Sequence, residues 1–153
     1  AVHTPGHLSN HLCFSYLQQG SLFTGDHIMG WSTTIISPPD GDMQDYLDSL
    51  KKLIDRNEKI YYPTHGLPIE NPKQFVRQLH GHRLRRDKEI VRALDQGATT
   101  IDQIVSILYL NIDQKLHLAA SRTIFAHLIR LVDIGDVSTS GTPIETSQFT
   151  LSK

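Results

Sequence analysis

His3-Thr4-Pro5-Gly6-His7 stands near the start of the chain, behind Ala1 and Val2. Two later stretches echo it, Thr24-Gly25-Asp26-His27 and Tyr62-Pro63-Thr64-His65-Gly66. Each is a short apolar run that stops at a Gly or Pro turn carrying one metal-competent side chain. Imidazole and carboxylate are ligands that zinc and its neighbours take from proteins, at about 2.0 to 2.2 Å. Three strand ends delivering His7, Asp26 and His65 to one sheet edge would make most of a metal site. In α/β folds, ligands gather at such strand ends.

Outward from these turns, the pattern predicts an α/β arrangement. Leu12, Phe14 and Tyr16 alternate with Cys13, Ser15 and Leu17, a strand period of two. Gln18-Gln19-Gly20 is a hairpin turn, and Ser21 to Thr24 is the return strand. Residues 28–37 form an apolar, hydroxyl-rich loop that holds the only tryptophan, Trp31. Asp42 caps a helix over about 43–55, with Met43, Tyr46, Leu47, Leu50, Leu53 and Ile54 as its apolar stripe and Asn57 as its stop. Ile60-Tyr61-Tyr62 is a short buried strand. Strand, helix and strand in this order suggest half of an α/β sandwich.

Pro68 to Pro72 marks the expected boundary, giving domains 1–70 and 71–153. A long helix follows to about Gln96, with Gly81 as a candidate break or bend and Gly97 closing it. Thr100-x-x-Gln103 is a capping-box pattern opening a second helix. Asn111 and Asp113 read as a linker or cap, and residues 115–134 as a third helix. Val137 to Ser140 and Gln148 to Leu151 are placed as a hairpin. Three helices followed by a hairpin is the winged-helix order.

The bulk numbers exclude little. The 153 residues suit one domain, or a half-domain plus a small one. A net charge of −1 gives no electrostatic pull toward nucleic acid or an anionic membrane. One cysteine, Cys13, excludes an intrachain disulfide and points to a reducing, cytoplasmic setting. No apolar run approaches the roughly 20 residues that span a bilayer, so no membrane partner is expected. Nine histidines favour a metal or acid–base site.

The three turns, in this order and at this separation, resemble the second half of the metallo-β-lactamase superfamily signature. The tail after about Asn71 resembles the branch with a C-terminal winged-helix domain. The implied fold is the C-terminal half of an αββα sandwich followed by a winged-helix-like domain, an α/β (α+β) class. The resemblance implies His7, Asp26 and His65 as ligands to a pair of metals, with Asp26 bridging both and so taking part in catalysis. Zinc is the expected metal, as two ions in family terms, with manganese or iron as alternatives. A metal-bound hydroxide would be the nucleophile, attacking an ester, thioester or phosphodiester.

The family's H-x-H-x-D-H motif is absent from these residues. His80-Gly81-His82 is a decoy, because i and i+2 diverge on a helix. The chain is therefore read as the back half of a hydrolase, expected to be inactive alone. It is expected to pair with its missing N-terminal half or with another copy, because half a sandwich exposes apolar sheet. The expected substrates are a small-molecule ester or thioester, or single-stranded RNA.

The remaining candidates surround this set. His3 and His11 flank the first turn and are placed as hydrogen-bond support behind the ligands. His27, next to Asp26, is expected to project the other way. Trp31, Thr33 and Thr34 either line the substrate pocket or cover the sheet edge. His82, Arg83 and Arg86 either edge a groove for an anionic group or form a solvated helix face. The alternative function is a winged-helix nucleic-acid binder carrying a degenerate hydrolase half. Lys115, Arg122 and Arg130 are a thin cationic footprint for that role.

Overall fold

The structure is a computed structural model that describes residues 1–110, 113 and 116–152. Asn111 and Lys115, placed above in a linker and a helix, lie outside the described residues. The chain forms two compact units, residues 1–83 and 84–153. This division falls within a helix, whereas the sequence boundary at 70/71 falls just before it.

The first unit is built on a four-stranded sheet in the order β1-β2-β3-β4. Its strands are β1 (Val2–His3), β2 (Leu12–Tyr16), β3 (Ser21–Gly25) and β4 (Ile60–Pro63). β2 runs antiparallel to both β1 and β3, while β3 and β4 are parallel. Helix α1 (Met43–Ile54) makes the crossover between them. Leu17 leaves the expected strand for a 3₁₀ turn over Leu17–Gln19, because Gly20 reverses the chain at φ 60°.

α1 begins where the Asp42 carboxylate accepts the Asp45 N–H, as its cap pattern predicts. Met43, Tyr46, Leu47, Leu50 and Leu53 are buried, and so are Cys13, Leu22 and Tyr61 of the sheet. Each such large side chain contributes about 1.5–3 kcal/mol on burial. The His3–His7 turn is pressed onto this helix. A Cβ on Gly6 would fall 2.3 Å from Tyr46 Cα, and the Asp42 N–H donates to the Gly6 carbonyl at 2.8 Å.

Alternation along β2 puts Cys13 inside and Leu12, Phe14 and Tyr16 outside. Phe23 of β3 is also exposed and stacks on Tyr62 at 5.6 Å. One sheet face is therefore an open aromatic surface.

Helix α2 (Pro72–Asp95) runs unbroken through Gly81, so the expected break does not occur. One Gly costs a helix only about 1 kcal/mol, and the neighbouring turns carry it. The second unit contains α3 (Ile101–Leu108), α4 (His117–Asp133), β5 (Val137–Thr139) and β6 (Phe149–Leu151). Thr100 and Gln103 form the capping box that opens α3. β5 and β6 pair antiparallel, with Ser138 opposite Thr150. Ile90, Leu94, Ile104, Ile124, Leu128 and Phe149 belong to its core. Within this core the Asp87 carboxylate accepts His127 Nδ1 at 2.6 Å and Arg130 Nη1 at 2.7 Å. No helix among the described residues is long and apolar enough to cross a membrane.

Candidate metal centre

Parallel pairing of β3 and β4 places Gly25 opposite Pro63. The residues that follow, Asp26 and Thr64-His65, therefore leave the sheet at one edge. Gly25 turns the chain at φ 54°. The turn is then closed by Thr24, whose hydroxyl donates to the Ile28 carbonyl at 3.0 Å.

At this edge His65 Nε2 lies 3.5 Å from Asp26 Oδ1. The Thr64 hydroxyl donates to the same oxygen at 2.8 Å. The Gly30 N–H donates to the His65 carbonyl at 2.8 Å. No Cβ fits at Gly30, where it would meet Leu67 O at 2.4 Å. Gly66 takes φ 97°, and its own Cβ would crowd Gly30 at 2.8 Å. The two loops thus meet backbone to backbone through a pair of glycines. Both side chains remain about half exposed to solvent.

His7 leaves β1 through the Pro5-Gly6 turn. Its Nδ1 donates to the Ile35 carbonyl at 2.7 Å. A carbonyl can only accept, so Nδ1 carries a proton, and in the neutral ring Nε2 keeps its lone pair. This is the arrangement found when a histidine binds a metal through its other nitrogen. His7 is not gathered with Asp26 and His65 into a finished cage. Among the described residues, no group of three or more His, Cys, Asp or Glu side chains is in position to hold a metal ion. The structure brings two of the three predicted side chains together and ties the third to the Ile35 carbonyl.

The flanking histidines divide by burial. His3 Nε2 donates to the Ser9 carbonyl at 2.9 Å, bracing the loop before β2. His11 Nδ1 bonds the Thr4 hydroxyl at 2.9 Å, and its Nε2 faces Gly25, 2.7 Å from where a Cβ would sit. Burial holds the His11 pKa below its ordinary value; the charge of His7 adds to this and Asp26 opposes it. His27 is wholly buried, and burial pulls its pKa down to about 3. Its ring packs on His11 and Tyr46, at centroid distances of 5.5 and 4.7 Å.

Trp31 is exposed at 73%, Thr33 is half-buried and Thr34 is buried. His82 is half-buried. Arg83 is 2% exposed, which leaves it no face toward an external anion. Its guanidinium donates to the Thr34 carbonyl and lies 5.3 Å from the Tyr46 ring centroid. The inward side of α2 thus takes Arg83 into the loop. Arg86 pairs with Glu89 at 3.1 Å and lies over the Tyr109 ring. Thr64, Gly30 and Tyr46 were not singled out as site residues. Thr64 lies inside a quoted motif, but nothing in a single sequence signals its bond to Asp26.

Residues 1–65 match the model of the metallo-β-lactamase superfamily, and residues 100–145 that of the β-lactamase-associated winged helix domain. The atrochrysone carboxyl ACP thioesterase of Aspergillus fumigatus is 38% identical over 94 residues, covering 61% of this chain and 29% of that protein. The β-lactamase-like protein 2 homolog of Drosophila melanogaster is 30% identical over 143 residues, covering 91% of this chain and 47% of the homolog. A metallo-β-lactamase family protein from Thermus thermophilus superposes with a TM-score of 0.82 at 25% identity, covering 98% of this chain and 48% of that one. The chain belongs to the metallo-β-lactamase superfamily of hydrolases, in the branch that carries a winged-helix domain. It spans at most half the length of these relatives.

Proposed function

We propose that the protein containing this chain is a metal-dependent thioester hydrolase in which His7, Asp26 and His65 are metal ligands. The observation that carries this reading is the 3.5 Å approach of Asp26 to His65 at the ends of two paired parallel strands. Two imidazoles and a carboxylate suit a pair of zinc ions, with manganese or iron as alternatives. When bound, such metals acidify water and polarise a carbonyl oxygen.

The chain's own residues prepare the site. Ile35 holds His7 in the tautomer with Nε2 free. Thr64 occupies one lobe of Asp26 and orients the carboxylate. A cleft of about 350 Å³ opens beside the His65 loop, lined by Gly30, Leu67, Ile69, Gln74 and Phe75. It offers a substrate arm apolar and amide contacts, with the Glu70 carboxylate also in its lining.

Thioester chemistry is favoured over RNA on two grounds. Relatives bear the name of ACP thioesterases. The chain carries a net charge of −1, and Arg130 of α4 is engaged with Asp87. Nucleic-acid affinity rests on unencumbered cations. We assign the remaining ligands and the general base to the part of the relatives that this chain does not span. On this reading the chain alone binds metal weakly and turns over little, and its open aromatic sheet face pairs with that other half or with a second copy.

Zinc titration of the chain, beside Asp26→Ala and His65→Ala, tests the ligand assignment. Affinity is expected to fall at least tenfold in each variant. Equal affinity in all three would overturn it. A longer form bearing H-x-H-x-D-H should hydrolyse an acyl thioester; salt-sensitive binding and cleavage of single-stranded RNA instead would move the substrate to a phosphodiester.

A further inference from the structure

Arg83 stands out as a buried cation that meets a carbonyl and a tyrosine, and among the described residues it makes no salt bridge to a carboxylate. Desolvating a guanidinium is costly, and an apolar side chain of similar volume is often as stable or more so. Stability alone therefore gives a poor reason for an arginine here. Its contacts supply another. Arg83 Nη2 donates to the Thr34 carbonyl. The next carbonyl along, Ile35, accepts His7 Nδ1 at 2.7 Å. The face of the guanidinium lies against the Tyr46 ring. Burial keeps the Tyr46 phenol protonated, by pushing its pKa up. That phenol donates to the His27 carbonyl at 3.1 Å, one residue past Asp26.

We propose that Arg83 is a positioning residue for the metal site, acting on His7 through the Thr34–Ile35 backbone and on Asp26 through Tyr46 and His27. The inference rests on the metal-ligand reading above. Arg83 touches neither substrate nor metal. It holds the 28–41 loop so that the Ile35 carbonyl stands under His7, and it steadies the ring that ties down the turn after Asp26. A planar fork satisfies both demands at once, whereas a lysine ammonium reaches the carbonyl as a single point charge.

The test uses the 153-residue chain and its Arg83→Met, Arg83→Lys and Tyr46→Phe variants. Two quantities are read: zinc affinity by calorimetry, and the His7 tautomer by long-range ¹H–¹⁵N correlation of the imidazoles in the metal-free chain. Loss of a group that orients a ligand typically weakens metal binding about 10- to 100-fold. R83M is expected to do so and to lose the Nδ1–H tautomer of His7, with R83K falling between R83M and the native chain. Y46F is expected to weaken zinc and leave the His7 tautomer intact. R83M or R83K, folded by circular dichroism, with native affinity and native tautomer would overturn the proposal. Should R83M not fold, R83K and Y46F decide it by the same two readouts. If the native chain binds no zinc at all, the ligand reading fails, and the His7 tautomer alone still decides whether Arg83 positions that ring.

Discussion

Asp26 and His65 are far apart in the chain, yet His65 Nε2 stands 3.5 Å from Asp26 Oδ1. Parallel pairing of β3 with β4 brings them together, and Thr64 completes the contact by donating to the same carboxylate oxygen. The bond from Thr64 aims the carboxylate.

Thr64 is exposed, so Thr64→Val removes a hydroxyl without opening the core. Zinc affinity is expected to fall about tenfold, the scale for groups that orient metal ligands. The melting temperature should stay close to that of the native chain, and Thr64→Ser should restore binding. Calorimetric titration with a thermal melt of the same samples checks both.

Gly30→Ala places a methyl 2.4 Å from Leu67 O, a backbone atom that cannot step aside. One loop must move, at a cost of about 1–3 kcal/mol. Gly97→Ala is the contrast, since its Cβ meets nothing within 4 Å and only the φ of 96° is unfavourable. Urea unfolding should rank G30A as the more destabilised and, in the same samples, weaken zinc binding in G30A alone.

Burial draws the Glu58 carboxyl upward, but hydrogen bonds from Arg56 and Ser15 outweigh it and hold the pKa below the ordinary 4.5. A depressed carboxylate adds stability above its unfolded pKa and loses it as pH falls through the folded one. Glu58→Gln is therefore expected to cost about 1–2 kcal/mol at pH 7, as for a lost charge-assisted bond. The difference from the native chain should shrink steadily below about pH 4.5. Unfolding curves at neutral pH and at two acidic points on either side of that value give the comparison.

Leu12, Phe14, Tyr16 and Phe23 form an uncovered apolar sheet face, the kind of surface that marks an interaction site. The isolated chain is expected to associate as its concentration rises. Phe14→Ser with Phe23→Ser should return it to the monomer, because both side chains already sit largely in solvent. Sedimentation that is independent of concentration in the native chain would refute this.

The sequence alone determined the chemical inventory and much of the fold. Three turns with His7, Asp26 and His65, a period of two across residues 12–16, the Asp42 and Thr100 caps, and the closing hairpin are local patterns, set by neighbouring residues. Tertiary structure decided which of these residues meet. The pairing of β3 with β4 joined Asp26 to His65 and left His7 tied to Ile35. The direction of a helical side chain has no meaning until a partner packs on it, and so Arg83, for which the sequence left a groove edge and a solvated helix face both open, is buried on Tyr46. Thr64 and Gly30 acquired roles only through contacts between distant loops, because hydrogen bonds and steric fit depend on distances that residue numbers do not carry.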